Sequence, residues 1–542
     1  MRRFFPYFLL IYPFILCSQS TMSTDFSYLF GKPYMATNAA DKEYFYKGDN
    51  ILAVKTQKNQ VVLQKMNIQS LSLARTRYYN DFPPEIAVEG VFEFGQRYYF
   101  FYSLAYDMGD QLFVREIDFE KGEFATKAKL LFQTERKVIG KDAGVAVYGI
   151  KSGMTDRFSF LFPHHRSNLM VQYRLKPEKR SDKINYDQIG FYAYDSTMQP
   201  IWNKMVTMPY TEKEMNNLYY ATDDNANAYI LAGVQGNVLS NGAILPYHLE
   251  LLKIMAGTAK LTTSTIKTGE KNVGRIWMGE TADGKLSCGG FYTKTRKLNN
   301  ADGVIFFKLD EKGALYDLVT HEIPMSVIAM YNDPIVTGDM RQHSSQTVNY
   351  ELPNLYIRHL IHQEDSSTLL IAEEYKVSTR TQTYYGIPIN TVTTKYYNNI
   401  LVTKINADGS LAWMKKIPKQ QYGVENGYYN SYDKGGLSFK YMHTKGQHYF
   451  VFLDNKKNLS LVPNKKPARH RDGQGGFLTA VKLDDGTGQL SKMSIFDTRK
   501  VQNTRVTKFN TDRILSLDDR DFIVEMTNKT QQDLLIKVSI VK

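Results

Sequence analysis

A strand–turn–strand unit recurs along this chain, and the recurrence constrains the fold more than any other feature of the sequence. In its clearest copy, residues 400–417 (ILVTKINADGSLAWMKKI), two apolar-rich runs flank a polar break at 406–409. Further copies lie at 61–79, 112–132, 190–209, 249–267, 304–324 and 477–497. Because one sheet of three or four antiparallel strands cannot bury both of its faces, the repeat predicts that successive sheets pack against one another.

Glycine occupies the turn in four copies of the unit. Gly122 and Gly313 each follow a lysine, and Gly409 and Gly486 each follow an aspartate. A tight hairpin needs a residue with positive φ, which glycine adopts without steric cost. The sequence therefore predicts hairpins at these four places, with the glycine in the left-handed conformation.

The spacing of the copies predicts an all-β fold, a single β-propeller of seven or eight four-stranded blades over residues 19–542. A blade takes about 40–50 residues, and the longer intervals accommodate inserted loops. The blade number depends on residues 43–79, which form a blade of their own or complete the C-terminal one. We expect an N-terminal strand within 26–35 (FSYLFGKPYM) to close the ring, because the C-terminal run 533–542 has no returning strand. Two or more β-sandwich domains are the alternative.

The first 18 residues have the layout of a signal peptide. Arg2 and Arg3 precede an apolar stretch that ends at Cys17, and small or polar residues follow. The stretch is shorter than the about 20 residues of a transmembrane helix, and no later segment is apolar enough to serve as one. We therefore expect an exported protein, located in the periplasm, at the outer membrane or outside the cell. Lipidation of Cys17 is an alternative that the bulky Leu16 disfavours.

Charge and cysteine content exclude some classes of function. The chain has 68 Lys and Arg against 55 Asp and Glu, a net charge of +13, and the two signs are mixed throughout. This pattern does not indicate a nucleic-acid partner. Removal of the signal peptide leaves Cys288 alone, so the protein is expected to fold without an intramolecular disulfide, with Cys288 buried as a small apolar residue.

The sequence contains no recognisable catalytic motif. There is no G-x-S-x-G elbow and no glycine loop of the kind that binds phosphate before a helix. The ten histidines are scattered, which predicts neither a metal site nor a cofactor. Carboxylates that converge from different blades would not be visible in the sequence.

Three insertions interrupt the repeat, at 325–351, 376–399 and 456–476. Loops on a rigid ring commonly carry function, so a binding surface is predicted there. The candidate binding residues are Tyr384, Tyr385, Tyr396, Tyr397, Lys465, Lys466, Arg469, His470 and Arg471. The tyrosines offer stacking area for sugars or peptides, and the basic cluster could meet an anionic glycan, lipopolysaccharide or an acidic protein face. The alternative is that these segments are solvated loops without a partner.

Several segments resemble those of uncharacterised secreted proteins of Bacteroidota. They include NDFPPEIAVEG (80–90), DQLFVREIDFEKGEF (110–124) and the unit that begins at residue 400. The resemblance implies an exported envelope or extracellular protein and supplies no catalytic residues. KINADGSLAW (404–413) is also similar to the propeller repeat of pyrroloquinoline-quinone enzymes, in which a tryptophan docks adjacent blades. Only Trp413 keeps that register, with an approximate echo at Trp202.

Two functional hypotheses follow from these observations. The first is an exported, non-enzymatic binding or scaffold protein of the bacterial cell envelope, which presents propeller loops to a protein or glycan partner as a monomer or within a hetero-complex. The alternative is a propeller enzyme, a polysaccharide hydrolase or lyase with its site at the central channel. A scaffold predicts aromatic or basic residues gathered on loops, whereas an enzyme predicts carboxylates converging in a pocket.

Overall fold

The computed structural model describes most of residues 25–541. Outside the description lie 1–24, 38, 40, 58–59, 84–85, 141–156, 236–246, 259, 296, 311, 332–351, 386, 427–428, 431–435, 445, 473–474, 502–505, 519 and 542. The predicted signal peptide and most of the 325–351 insertion fall among these residues. In the described part the only α-helix is Met325–Ala329, and no helix there has the length and apolar character needed to cross a membrane.

The described chain is built almost entirely of antiparallel sheets, which follow one another along the sequence. Sheet 1 contains Asp41–Lys47, Asn50–Gln57, Gln60–Asn67 and Ser72–Tyr79. Sheet 2 contains Ala87–Phe94, Arg97–Ala105, Asp110–Asp118, Glu123–Phe124 and Lys129–Gln133. Sheet 3 contains Ser159–Leu161, Leu169–Arg174, Tyr186–Tyr194 and Pro200–Thr211. Sheet 4 contains Met215–Thr222, Ala228–Val234, His248–Ile254 and Leu261–Ile266.

The second half of the chain continues the pattern. Sheet 5 contains Asn272–Glu280, Leu286–Thr293, Gly303–Leu309 and Leu315–Glu322. Sheet 6 contains Leu355–His362, Thr368–Tyr384, Ile387–Ile405, Leu411–Ile417, Gln421–Asn426, Tyr429–Asn430 and His470–Arg471. Sheet 7 contains Lys440–Thr444, Gln447–Asp454, Phe477–Asp484 and Leu490–Asp497. Sheet 8 contains Val506–Ser516, Asp521–Asn528, Gln532–Ile540 and two N-terminal strands, Phe26–Phe30 and Tyr34–Met35. A two-stranded sheet pairs Asn300–Ala301 with Leu352–Pro353.

Burial within a sheet depends on strand position. In sheets 4 and 5 the second strands, Ala228–Val234 and Leu286–Thr293, are buried along their length, whereas a last strand such as Ser72–Tyr79 is largely exposed or half-buried. First strands of neighbouring sheets contact one another, as Met215–Thr222 does Asn272–Glu280. The first strands therefore lie toward the middle of the molecule and the last strands at its periphery. The fold is all-β and of the β-propeller type, as the sequence predicts.

The hydrophobic core lies between sheets. Seven clusters of buried apolar residues in the described chain each join two sheets that are consecutive in sequence, from sheets 1 and 2 to sheets 7 and 8. A further cluster, with Ile51 and Ala53 of sheet 1 against Ile523 and Leu535 of sheet 8, joins the first sheet to the last. Cys288 is fully buried in the cluster between sheets 4 and 5, and burial raises its pKa.

The N-terminal strand pairs with the last strand of the chain. Phe26–Phe30 runs antiparallel to Gln532–Ile540, with Phe26 opposite Ile540 and Phe30 opposite Ile536. The predicted strand donor thus occupies the edge of sheet 8. Residues 41–79 form sheet 1 and do not complete sheet 8.

A buried ion cluster lies where sheet 8 meets sheet 1, and we name it the seam cluster. Lys55 Nζ lies 2.6 Å from Glu525 Oε1 and 3.0 Å from Asp533 Oδ2, and Lys42 Nζ lies 2.9 and 3.0 Å from the same two carboxylates. Tyr34 donates a hydrogen bond of 2.6 Å to Glu525. Both carboxylates and Lys55 are completely buried. Each charge therefore has opposite charges as direct partners, which burial at this depth requires.

The turn predictions hold at three of four glycines. Gly122, Gly313 and Gly409 have φ values of 61, 83 and 85°. The prediction for Gly486 is wrong, because the left-handed residue of that turn is Gly488, with φ of 65°. This turn is longer than the two-residue type, since Gly488 N donates to Asp484 O and Asp484 N donates to Gln489 O.

Strand direction places the longest connections at one end of the sheets. In each antiparallel meander, the second-to-third connection and the connection to the next sheet emerge at the same end, which we call the loop face. All three predicted insertions occupy such connections: 325–351 joins sheets 5 and 6, 376–399 joins the second and third strands of sheet 6, and 456–476 does so in sheet 7.

Candidate functional site

Sheet 6 extends past its neighbours at the loop face. Its second and third strands, Thr368–Tyr384 and Ile387–Ile405, stay paired through the whole 376–399 insertion. The strand Gln421–Asn426 then pairs antiparallel with residues 393–397. The predicted insertion is therefore an ordered hairpin with a third strand beside it.

The basic insertion joins the same layer. His470–Arg471 pairs in parallel with Gln421 and Tyr422, and Tyr331 N donates a 2.9 Å hydrogen bond to Pro463 O. The strand Gln421–Asn426 thus connects the aromatic hairpin on one side to the basic segment on the other. We call residues 376–397, 421–426 and 456–471 together the loop surface.

The predicted binding residues occupy different depths in the loop surface. Tyr385 is 88% exposed at the hairpin tip, and Lys465, Lys466 and Arg469 are exposed. Tyr396 is half-buried, with its ring stacked on Tyr422 at a centroid distance of 6.4 Å.

The other four candidate residues are less exposed or are not described at the side chain. Tyr397 and His470 are buried, so they position their neighbours and cannot meet a partner directly. Arg471 is half-buried, and the side chain of Tyr384 lies outside the description. The burial of Tyr397 and His470 follows from strand alternation, since each adjoins a more exposed residue in the chain.

A buried ion cluster supports the base of the loop surface. Glu373 is fully buried and accepts hydrogen bonds from Arg358 at 2.6 and 2.9 Å, from Lys419 and from Ser438. Burial alone would raise the pKa of Glu373, but the nearby Lys419 and Arg358 outweigh burial and lower it. Lys419 Nζ also donates to Tyr397 O at 3.2 Å, which fixes the hairpin strand to the cluster.

His470 fills space that two glycines leave open. A Cβ atom on Gly476 would lie 3.0 Å from the imidazole ring, and one on Gly436 would lie 3.6 Å from Nε2. Burial lowers the pKa of His470 to about 4, and Nε2 has no hydrogen-bond partner among the described residues. The imidazole is therefore neutral at physiological pH and acts as a packing group.

A second polar group on the loop face surrounds a cavity between sheets 3 and 4. The cavity has a volume of about 150 Å3. Arg174 Nε donates to Asp187 Oδ1 at 2.5 Å, Arg174 Nη2 donates to Glu212 Oε1 at 2.8 Å, and Asn217 Nδ2 donates to Asp187 Oδ2 at 3.0 Å. Burial and a hydrogen bond shared with Asp187 raise the pKa of Glu212, although Arg174 opposes both. We call Arg174, Asp187, Glu212 and Asn217 the cavity cluster.

Sequence reasoning missed the cavity cluster. Arg174 ends the second strand of sheet 3, and Asp187 lies near the start of the third. Glu212 lies in the connection to sheet 4, and Asn217 lies on the first strand of that sheet, so no short motif contains all four residues. The sequence does carry one signal, which is the concentration of charged residues in the connection around 175–185 and again at 212–214. In the described chain no three His, Cys, Asp or Glu residues are grouped as a metal site would need.

Two tryptophans dock neighbouring sheets. Trp413 Nε1, on the strand Leu411–Ile417 of sheet 6, donates a 2.9 Å hydrogen bond to Asp485 O, in the turn that follows Phe477–Asp484 of sheet 7. Trp202 Nε1, on the last strand of sheet 3, donates a 2.8 Å bond to Ala226 O in sheet 4. The docking role that the repeat resemblance implies is thus present at both positions.

No protein-family model matches the chain, and no curated protein does. Similar solved structures include the polysaccharide lyase Uly1 (10% identity, 92% of this chain and 90% of that chain, TM-score 0.35). The WD40 domain of SCAP from fission yeast is also similar (8% identity, 96% and 97%, TM-score 0.35), as is the periplasmic gluconolactonase PpgL of Pseudomonas aeruginosa (10% identity, 76% and 96%, TM-score 0.26). Similarities at these identities and TM-scores do not indicate the function of this protein.

Proposed function

We propose that the protein is an exported, non-enzymatic binding protein of the bacterial cell envelope, which presents the loop surface to an anionic partner. The observation that carries the proposal is the joining of two insertions through one strand, Gln421–Asn426, into an ordered layer. A solvated loop that binds nothing does not need to be held in a layer by strand pairing. Export rests on the form of the N-terminal 18 residues.

The proposal includes an eight-bladed propeller closed by Phe26–Phe30. Its support is the set of apolar clusters, which join each described sheet to the next and the last sheet to the first. The pairing of Phe26–Phe30 with Gln532–Ile540 covers an edge that would otherwise be open to aggregation. A closed ring holds the loop face rigid, which lowers the entropic cost of binding.

The charge of the basic segment favours an anionic glycan as the partner. Residues 456–471 contain four Lys, two Arg and no Asp or Glu. Four of these cations, at 456, 457, 465 and 466, are exposed lysines, and exposed Arg469 adds a fifth. Such a patch attracts phosphate, sulfate or carboxylate groups. Tyr385, exposed at the hairpin tip of the same loop surface, offers a ring for stacking. An acidic protein face is the other partner that the patch could accept.

Binding of residues 19–542 to immobilised polyanions tests the proposal. The probes are lipopolysaccharide, heparin and polygalacturonate, with neutral dextran as the reference, and biolayer interferometry gives the Kd. We expect binding to at least one polyanion, weakening with salt. Charge reversal of Lys465, Lys466 and Arg469 to Glu should raise the Kd at least about tenfold.

The matched control reverses three exposed lysines outside the loop surface, Lys204, Lys260 and Lys312. An equal loss of polyanion affinity in the two triple variants would mean that net charge alone drives binding, which would contradict the proposal. Absence of polyanion binding would exclude the glycan and leave an acidic protein. Release of reducing ends or unsaturated sugars from the same polysaccharides would favour the enzyme alternative.

A further inference from the structure

We propose that the cavity between sheets 3 and 4 binds one neutral sugar ring of pyranose size. This site lies on the same face as the loop surface but in other sheets. Its existence does not depend on the function proposed for the basic segment.

The size of the cavity suits a small ligand. Its volume of about 150 Å3 is well above the about 10–15 Å3 that a cavity needs to admit one water molecule. Asn216 lines it and is exposed, and the side chain of Arg174 retains 34% of its exposure, so the cavity opens to solvent at these residues. A single ring can therefore enter without movement of a sheet.

The lining matches a ligand that carries several hydroxyl groups. A hydroxyl both donates and accepts, and the cavity presents carboxyl and amide oxygens as acceptors beside the guanidinium of Arg174 as a donor. Ile139, Met215 and the ring of Tyr220 supply apolar surface for the C–H face of a sugar. Most of the lining residues are polar, which suits a ligand that carries several hydroxyl groups.

One buried acceptor in this lining has no partner in the described structure. Asn217 is only 8% exposed, and its amide orientation follows from the bond that Nδ2 donates to Asp187. Its Oδ1 atom, by contrast, accepts no hydrogen bond. A buried unpaired carbonyl is costly, and a ligand hydroxyl that donates to Asn217 Oδ1 would remove that cost.

The charges of the cavity cluster favour a neutral ligand. Arg174 already donates to Asp187 and Glu212, so an anion beside the guanidinium would also meet two carboxyl groups. A cation would have to compete with Arg174 for the same two carboxylates. Metal binding is disfavoured as well, because no third His, Cys, Asp or Glu joins this pair among the described residues.

The bridging of the two carboxyl groups by Arg174 favours binding over hydrolysis. Glycosidases hold their carboxyl groups about 5–9.5 Å apart, with the bond to be broken between them. Arg174 lies between Asp187 and Glu212 and donates to both, so its guanidinium fills the place that a glycosidic oxygen and a water would need. We therefore infer that this pair orients a sugar without cleaving it.

Saturation-transfer NMR on residues 19–542 tests the inference with D-glucose, D-galactose, D-mannose and N-acetyl-D-glucosamine, with D-glucuronate as the anionic reference. We expect transfer to at least one neutral sugar and weaker transfer to glucuronate. Asn217→Ala should weaken binding at least about tenfold. Asn216→Trp should block the cavity from its exposed side, and Asn203→Ala, at an exposed site on the last strand of sheet 3, should leave binding unchanged.

Absence of transfer to all four neutral sugars would overturn the inference, as would tighter binding of glucuronate than of any of them. If Asn217→Ala does not fold, the Asn216→Trp variant decides alone. Unchanged affinity in a folded Asn216→Trp protein would show that the sugar binds elsewhere. Loop-surface charge reversal should leave sugar binding intact, so the two proposals fail independently.

Discussion

The seam cluster and the cavity cluster contain the same kinds of charged side chain but differ in how completely those charges are paired. Each combines cations with two carboxyl groups between neighbouring sheets. At the seam, Lys42 and Lys55 bridge Glu525 and Asp533 with no exposure at the carboxylates. In the cavity cluster one cation, Arg174, serves two carboxyl groups, and space remains beside them.

The difference shows how a buried polar group becomes available for function. Two cations and two carboxylates balance one another and leave the seam with a structural role. In the cavity cluster one cation serves two carboxyl groups, burial raises the pKa of Glu212, and Asn217 Oδ1 has no hydrogen-bond partner among the described residues. Incomplete satisfaction next to a cavity is the feature that distinguishes a candidate site from a structural cluster.

Removal of a seam cation should have the largest effect on stability. Lys55→Met leaves Glu525 and Asp533 buried with one cation between them, and we expect a loss of about 3–5 kcal/mol in the free energy of unfolding. Urea denaturation measures it. The control Lys47→Met removes an exposed lysine of the same sheet, 3.6 Å from Glu120, and should cost less than about 1 kcal/mol. Equal losses in the two variants would contradict a structural role for the seam.

The corresponding change in the cavity cluster should cost less. Arg174→Met is expected to lower the free energy of unfolding by about 2 kcal/mol at pH 7, because the partly open site admits water and Glu212 can take up a proton. The cost should shrink at pH 5, where protonation of Glu212 becomes easier. A loss of stability as large as that of Lys55→Met, or one independent of pH, would mean that the cavity cluster is a structural ion cluster like the seam cluster.

His470 is a buried group that forms no salt bridge among the described residues, and its effect on stability should appear only in acid. The unfolded chain binds a proton near the ordinary histidine pKa of about 6.5, whereas the folded protein does so only near pH 4. Stability should therefore fall as the pH falls between these values, by about 1 kcal/mol between pH 6 and pH 5 from this residue. His470→Asn should flatten the pH profile, and the exposed His443→Asn should not. A steeper profile in His470→Asn would contradict the assignment.

Charge reversal at Lys465, Lys466 and Arg469 should have the smallest effect on stability. These side chains are exposed, and substitutions at such positions usually change the free energy of unfolding by less than about 0.5 kcal/mol. A thermal scan beside the binding experiment measures the change. Unfolding of the triple variant would show that the basic segment has a structural role in the ring.

The sequence predicts the repeated elements well because each strand–turn–strand unit is local. The pattern correctly predicts the two strands that flank Gly409. It also correctly predicts that an N-terminal strand pairs with the last strand of the chain. The prediction for Gly486 is wrong because the pattern does not report turn length. The cavity cluster is absent from the prediction because Asp187 and Glu212 converge through pairing between strands and packing between sheets, which no spacing along the chain encodes. For the same reason the sequence does not reveal that Tyr397 and His470 point inward.

The proposed closure of the ring by the N-terminal strand is the feature on which both proposed sites depend, and a disulfide between the strands that would close it tests it most directly. Ser27 lies opposite Ser539 in the antiparallel pair, where Cα atoms are close enough for a disulfide. Expressed from residue 19, Ser27→Cys with Ser539→Cys should form an intramolecular disulfide in the folded protein. The control pair, Ser27→Cys with Ser516→Cys, spans the two outer strands of sheet 8 and should not. Efficient linkage of the first pair alone is the predicted result, and failure of that pair to link, or equal linkage in both, would contradict closure by the N-terminal strand.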